Sequence, residues 1–74
     1  MTHDTKSAIR NIGQGSRGNL VWILQAALTV KGFPTALDSI FGANTANQVR
    51  AFQGANGLSA DGIAGPNTFE VLFK

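Results

Sequence analysis

Asp38-Ser-Ile-Phe-Gly-Ala-Asn-Thr45 returns 23 residues later as Asp61-Gly-Ile-Ala-Gly-Pro-Asn-Thr68, with five of eight positions identical. The stretch before each copy repeats as well. Val21-Trp-Ile-Leu-Gln25 aligns with Val49-Arg-Ala-Phe-Gln53, and Gly32-Phe33 aligns with Gly57-Leu58. Internal repetition constrains architecture before any other feature does. Each unit reads as a helix, a glycine stop, a loop, an aspartate turn and a new helix start. Two such units and a terminal helix predict an all-α fold, a compact three-helix bundle with two repeated helix-turn units.

The repeated residues have definite physical uses. Gly32 and Gly57 fall where a helix ends and the backbone enters the left-handed region, which glycine visits at little cost. Phe33 and Leu58 follow, placed to fold back onto the last helical turn. Asp38 and Asp61 suit turns in which a carboxylate accepts backbone N–H groups. Gly42 and Gly65 are expected N-caps, with Pro66 at the first helical position, where its missing N–H costs nothing.

The expected helices run from an Ser16 N-cap to about Lys31, from about Ala43 to Ala55, and from Pro66 to about Phe73. Residues 1–8 read as a flexible tail and 9–74 as one domain, with Ile9 and Ile12 laid as a short arm on it. Seventy-four residues without cysteine leave no disulfide or thiolate–metal staple, so the core is apolar packing alone. Its expected members are Val21, Leu24, Leu28, Phe33, Ile40, Phe41, Val49, Phe52, Leu58, Ile63, Phe69 and Leu72. At about 100° per residue, Ile23 and Val30 lie opposite the core face of the first helix. A helix apolar nearly all round is usually covered on both sides. Ile9 and Ile12 are expected over part of that second face, with another domain or chain over the rest.

A net charge of +2 with only 14% charged residues and no basic stripe argues against nucleic acid as a partner. No apolar run approaches the length needed to span a bilayer, so no membrane partner is expected. Met1 to Ser7 has no apolar stretch and does not read as a secretory signal.

The ordered set of motifs resembles a known family. Gly15-Ser-Arg-Gly18, Val21-x-x-Leu24-Gln25-x-x-Leu28, Gly32-Phe33, Asp38-x-Ile-Phe-Gly-x-x-Thr45, Val49-x-x-Phe52-Gln53, Gly57-Leu58 and Asp61-Gly-Ile-x-Gly-Pro-x-Thr68 together are similar to the peptidoglycan-binding domains, small three-helix modules attached to cell-wall hydrolases. Ser39 departs from that pattern, which usually has glycine after the aspartate, and Phe69 stands where tryptophan is common. The resemblance implies non-catalytic binding of bacterial peptidoglycan, through glycan, stem peptide or both. It also implies a tethered or partner hydrolase, an autolysin or phage endolysin, with the site of action at the wall. With no export signal in this chain, an extracellular location or lysin-type release is expected. The alternative is a regulatory or docking module that meets a catalytic domain and binds no polymer; a related module precedes secreted metalloprotease domains.

Catalytic residues are not expected. Glycosidases need two carboxylates at a set separation, but Asp38 and Asp61 occupy equivalent turns. The one histidine, His3, lies in the tail, which excludes a Ser-His-Asp triad, and a zinc ligand set is missing. No cofactor or metal is expected. The recurrence of Gln25 and Gln53 suits either a ligand contact or, as the preferred reading, a turn anchor whose amide hydrogen-bonds exposed backbone of a turn beside its own helix, because a buried amide must find partners. Arg17 either anchors a turn carbonyl or aspartate, or pairs with a stem-peptide carboxylate. Trp22 flanks the core face with Asn19 and Thr29 on the same stripe, either as packing or as an aromatic plate edged by polar groups. On an ideal helix Arg17 and Trp22 project about 140° apart, so the Trp22 stripe is the expected ligand site.

Overall fold

The computed structural model describes residues 11–74; the expectations for the 1–8 tail and for Ile9 lie outside them. Three helices follow in order: α1, Asn19–Val30; α2, Ala43–Ala55; and α3, Pro66–Leu72. None is long and apolar enough to cross a membrane.

Burial follows the repeat. On α1 the inward residues are Val21, Leu24, Gln25 and Leu28; on α2 they are Thr45, Ala46, Val49, Phe52 and Gln53. Both sets keep the three-and-four spacing that puts side chains on one face. Thr68, Phe69 and Leu72 complete the core from α3, and Ile12 joins it from the N-terminal side.

The helix ends show why the glycines recur. The Phe33 N–H donates to the Leu28 carbonyl at 2.8 Å and the Gly32 N–H to Thr29 at 3.1 Å. At the end of α2, Leu58 donates to Gln53 at 2.8 Å and Gly57 to Gly54 at 3.4 Å. This paired closure needs a positive φ at the glycine, and Gly32 and Gly57 have φ of 95° and 72°. The chain is thereby turned so that Phe33 meets Phe52 edge-on, with centroids 5.6 Å apart. Gly42 and Gly65 take the N-cap positions, and Pro66 opens α3.

The start of α1 differs from expectation. Gly18, not Ser16, precedes the first helical residue. The Ser16 hydroxyl instead accepts the Gly13 N–H at 3.2 Å. Residues 12–18, which turn at Gln14 and Gly15, are held by backbone pairing with both aspartate loops. Ile12 and Ala64 exchange N–H···O bonds of 3.0 and 2.8 Å. Further on, Gly15 donates to Phe41, Phe41 to Ser16, and Gly18 to Ser39, at 2.8–3.0 Å. Backbone groups committed to loops cannot also begin a helix. This short tie crosses both repeat units.

Two core expectations fail for one reason. Ile40 and Ile63 are 44% and 48% exposed, whereas their neighbours Phe41 and Ala64 are buried. Alternate residues of an extended segment face opposite sides, and the turn bonds described below draw the backbone of residues 40 and 63 inward. Phe33 and Leu58 are half-buried. The second face of α1 is not covered by Ile12, which packs at Ala64; Val30 remains 83% exposed.

The two aspartate turns differ in strain. Gly62 has φ of 76°, and its counterpart Ser39 has φ of 63°, a left-handed residue that is not glycine. The left-handed region costs an L-residue roughly 1–2 kcal/mol, partly offset by the extra unfolded-state freedom of glycine. Ser39→Gly is expected to stabilise the domain by about 0.5–1 kcal/mol, read as a higher denaturation midpoint. A loss of stability would mean that the Ser39 side chain contributes more than its backbone costs.

Candidate functional site

Each repeat turn is built round one buried glutamine. Gln25 is fully buried, and its Nε2 donates to Asp38 Oδ1 at 3.0 Å, the Ile40 carbonyl at 3.0 Å and the Thr45 hydroxyl at 3.2 Å. Two amide protons serve three acceptors, so one bond is shared. Its Oε1 accepts the Asp38 and Ser39 N–H groups at 3.1 and 3.0 Å. Gln53 repeats the pattern with Asp61 Oδ1, the Ile63 carbonyl and the Thr68 hydroxyl at 3.1, 2.9 and 3.1 Å, and accepts from Gly62 at 3.0 Å.

The aspartates close the same knots. Asp38 Oδ1 accepts the Ile40 N–H at 3.0 Å and Asp61 Oδ1 the Ile63 N–H at 2.9 Å, an aspartate turn in which the side chain mimics a backbone acceptor. These backbone donors are the main reason that both carboxyls lie below their usual range, with the glutamine amides adding to the effect. No buried side-chain nitrogen or oxygen lacks a partner among the described residues. The polar interior is therefore a closed framework.

Beside the second knot lies an open cleft of about 370 Å³, walled by Asn11, Ser59, Asp61, Ile63, Pro66 and Asn67, with Gln53 and Thr68 among its further lining. The tie delivers Asn11 to it, because Ile12 pairs with Ala64. Asn11 lies so close to Gly65 that a Cβ there would collide with its Oδ1. Sequence reasoning did not single out this cleft. Asn67 was visible as a repeated position, but Asn11 and Ser59 lie outside the repeat and had no signal of their own.

A second concavity, of about 360 Å³, runs along α1 and the end of α3. Its walls include Trp22, Ile23, Val30, Lys31, Leu72 and Phe73, with Ala26 and Ala27 at the base. Phe73 stacks on Phe69 at 5.9 Å, which ties the outer wall to the core. The stripe expected round Trp22 is split. Trp22 is 44% exposed in this apolar groove, but Asn19 and Thr29 are not among its lining. The Thr29 hydroxyl is committed, donating to the Gln25 carbonyl at 2.8 Å and accepting the Thr35 N–H at 3.3 Å. Arg17 precedes α1, paired through its backbone with Ile40 and exposed. Its helical phase relative to Trp22 therefore does not apply.

Comparison with known proteins agrees with this framework. Residues 17–72 match the family model described as "Putative peptidoglycan binding domain". The zinc D-Ala-D-Ala carboxypeptidase of Streptomyces albus G is 43% identical over 68 residues, which cover 85% of this chain and 26% of that protein. Among solved structures, the SleB N-terminal domain superposes with a TM-score of 0.83 at 37% identity, covering 86% of this chain and 89% of that one. Burkholderia AP3 phage endolysin gives 0.83 at 43% identity, covering 85% of this chain and 24% of the endolysin chain. The chain thus spans about a quarter of the length of the carboxypeptidase and of the endolysin.

Proposed function

The chain belongs to the peptidoglycan-binding domain family, and from that premise we propose that it binds bacterial wall peptidoglycan without cleaving it, and holds an attached or partner hydrolase on its substrate. The observation that supports this most directly is the polar cleft beside Asp61. Ser59 and Asn67 make no side-chain hydrogen bond to another described residue, so their polar groups are available to a hydrated ligand. Glycan and short peptide present amide, hydroxyl and charged groups, which such a cleft suits better than an apolar one. A polymer-bound module makes the encounter of a tethered enzyme effectively intramolecular.

The apolar groove at Trp22 favours a second reading, in which that face docks a protein surface. On the first reading Trp22 is the competing place for the polymer, as a plate for a sugar ring. Purified protein is expected to sediment with isolated sacculi while releasing neither reducing ends nor free amines. Failure to sediment, or measurable release by clean protein, would overturn the proposal. Trp22→Ala separates the faces: wall affinity about tenfold weaker, the size of effect common at a binding aromatic, would put polymer on the groove. Unchanged affinity would leave the groove to a protein partner.

A further inference from the structure

We propose that the cleft beside Asp61 is a subsite for a primary ammonium group, the free side-chain amine of a diamino acid in the stem peptide. This rests on the wall-binding reading and names the part of the polymer that the cleft takes.

The geometry begins with the carboxylate. Both side-chain bonds that hold Asp61 in its turn, from Ile63 and from Gln53, end on Oδ1. Oδ2 takes neither, yet the carboxylate plane is set by those bonds. The acceptor is therefore oriented before a ligand arrives, which removes part of the ordering cost of binding. The backbone donors that lower the Asp61 pKa also keep the group charged at neutral pH.

The surroundings select the ligand. Among the described residues Asp61 is the one charged residue lining the cleft, in a chain whose formal net charge is +2. The side-chain carbonyls of Asn11 and Asn67 and the hydroxyl of Ser59 add neutral acceptors. An ammonium carries three donors and no acceptor, which matches one charged and several neutral oxygens. A ligand carboxylate would meet Asp61 with like charge. Among the described residues, Arg50 lies beside this turn, with its guanidinium against Gly62. It donates to Asn47 Oδ1 at 2.7 Å, and Arg50 is not among the cleft's lining residues.

The repeat supplies an internal control. Asp38 has the same turn bonds, to Ile40 and Gln25, at 3.0 Å each. Its loop is longer, however, with four residues between Phe33 and Asp38 against two between Leu58 and Asp61. Asp38 is also preceded by an exposed Leu37, where Asp61 follows Ser59 and Ala60. The two carboxylates thus share a structural duty, and Asp61 is the one placed in the wall of this cleft.

The test uses two probes and the intact chain. One probe is a muramyl tripeptide ending in a diamino acid with a free side-chain ammonium; the other is its N-acetylated twin. In an NMR titration the free amine is expected to shift the backbone amides of Ser59, Gly62 and Asn67 most, and the acetylated twin to bind at least tenfold more weakly. Asp61→Asn should weaken the free-amine probe at least tenfold, while Asp38→Asn leaves it unchanged. Ser59→Lys, at an exposed loop position, places a competing ammonium in the cleft and should produce the same loss in a folded protein. Equal affinity for the two probes, or wild-type affinity in Ser59→Lys, would overturn the assignment. Sacculus sedimentation separates the failures. Wall binding that persists when the probes bind equally removes the ammonium subsite alone, whereas loss of sedimentation by wild-type protein removes the wall-binding reading itself.

Discussion

Gln25→Ala is expected to lose about 3–5 kcal/mol of folding stability, and Gln53→Ala a comparable amount. Gln25 makes five side-chain hydrogen bonds from a fully buried position. Truncation leaves an empty volume in the core and removes partners from the Thr45 hydroxyl, the Ile40 carbonyl and two turn N–H groups. Each buried group left unsatisfied costs roughly 1–3 kcal/mol, although the exposed edge of the turn recovers some bonds to water. Domain stability is commonly about 0.05–0.15 kcal/mol per residue, so a loss of this size consumes much of the margin. Gln25→Glu keeps the shape but sets a second carboxylate against Asp38, and should be similarly damaging at neutral pH. Denaturant unfolding followed by circular dichroism reads both. Variants within about 1 kcal/mol of wild type would show that the turns are held by other contacts.

The second large effect lies next door in the chain. Phe41→Ala should cost about 3–5 kcal/mol, as for other buried aromatics, and Ile40→Ala less than about 1 kcal/mol. Phe41 is almost wholly buried beneath the tie, while Ile40 points outward. The ordering is the informative part. A larger loss at Ile40 would reverse the assignment of faces in the loop.

These two neighbours also show what the chain made legible. The repeat carried the helices, their glycine closures and the aspartate turns, because each depends on residues a few positions apart. The facing of Ile40 and Ile63 did not follow from hydropathy, since isoleucine beside phenylalanine suits either side. It is decided by which backbone groups the glutamine captures, contacts across 13 to 15 residues in the first turn and 9 to 10 in the second. The true start of α1 was hidden in the same way. Ser16 has good capping chemistry, but residues 12–18 are drawn into pairing with loops far along the chain. The cleft needed that pairing too, because only the tie brings Asn11 beside Asp61. Local signals found the turns, and non-local ones assembled the site.

Helix α2 takes part in both glutamine knots. Thr45, near its start, receives the Gln25 amide, and Gln53, near its end, reaches forward to Thr68. The arrangement is a link of chain closed at both ends: a pull that opens one knot loads the rod holding the other. A module stretched between an anchored polymer and a moving enzyme would therefore give way as one piece, at a single threshold of force, rather than shedding its turns one after another.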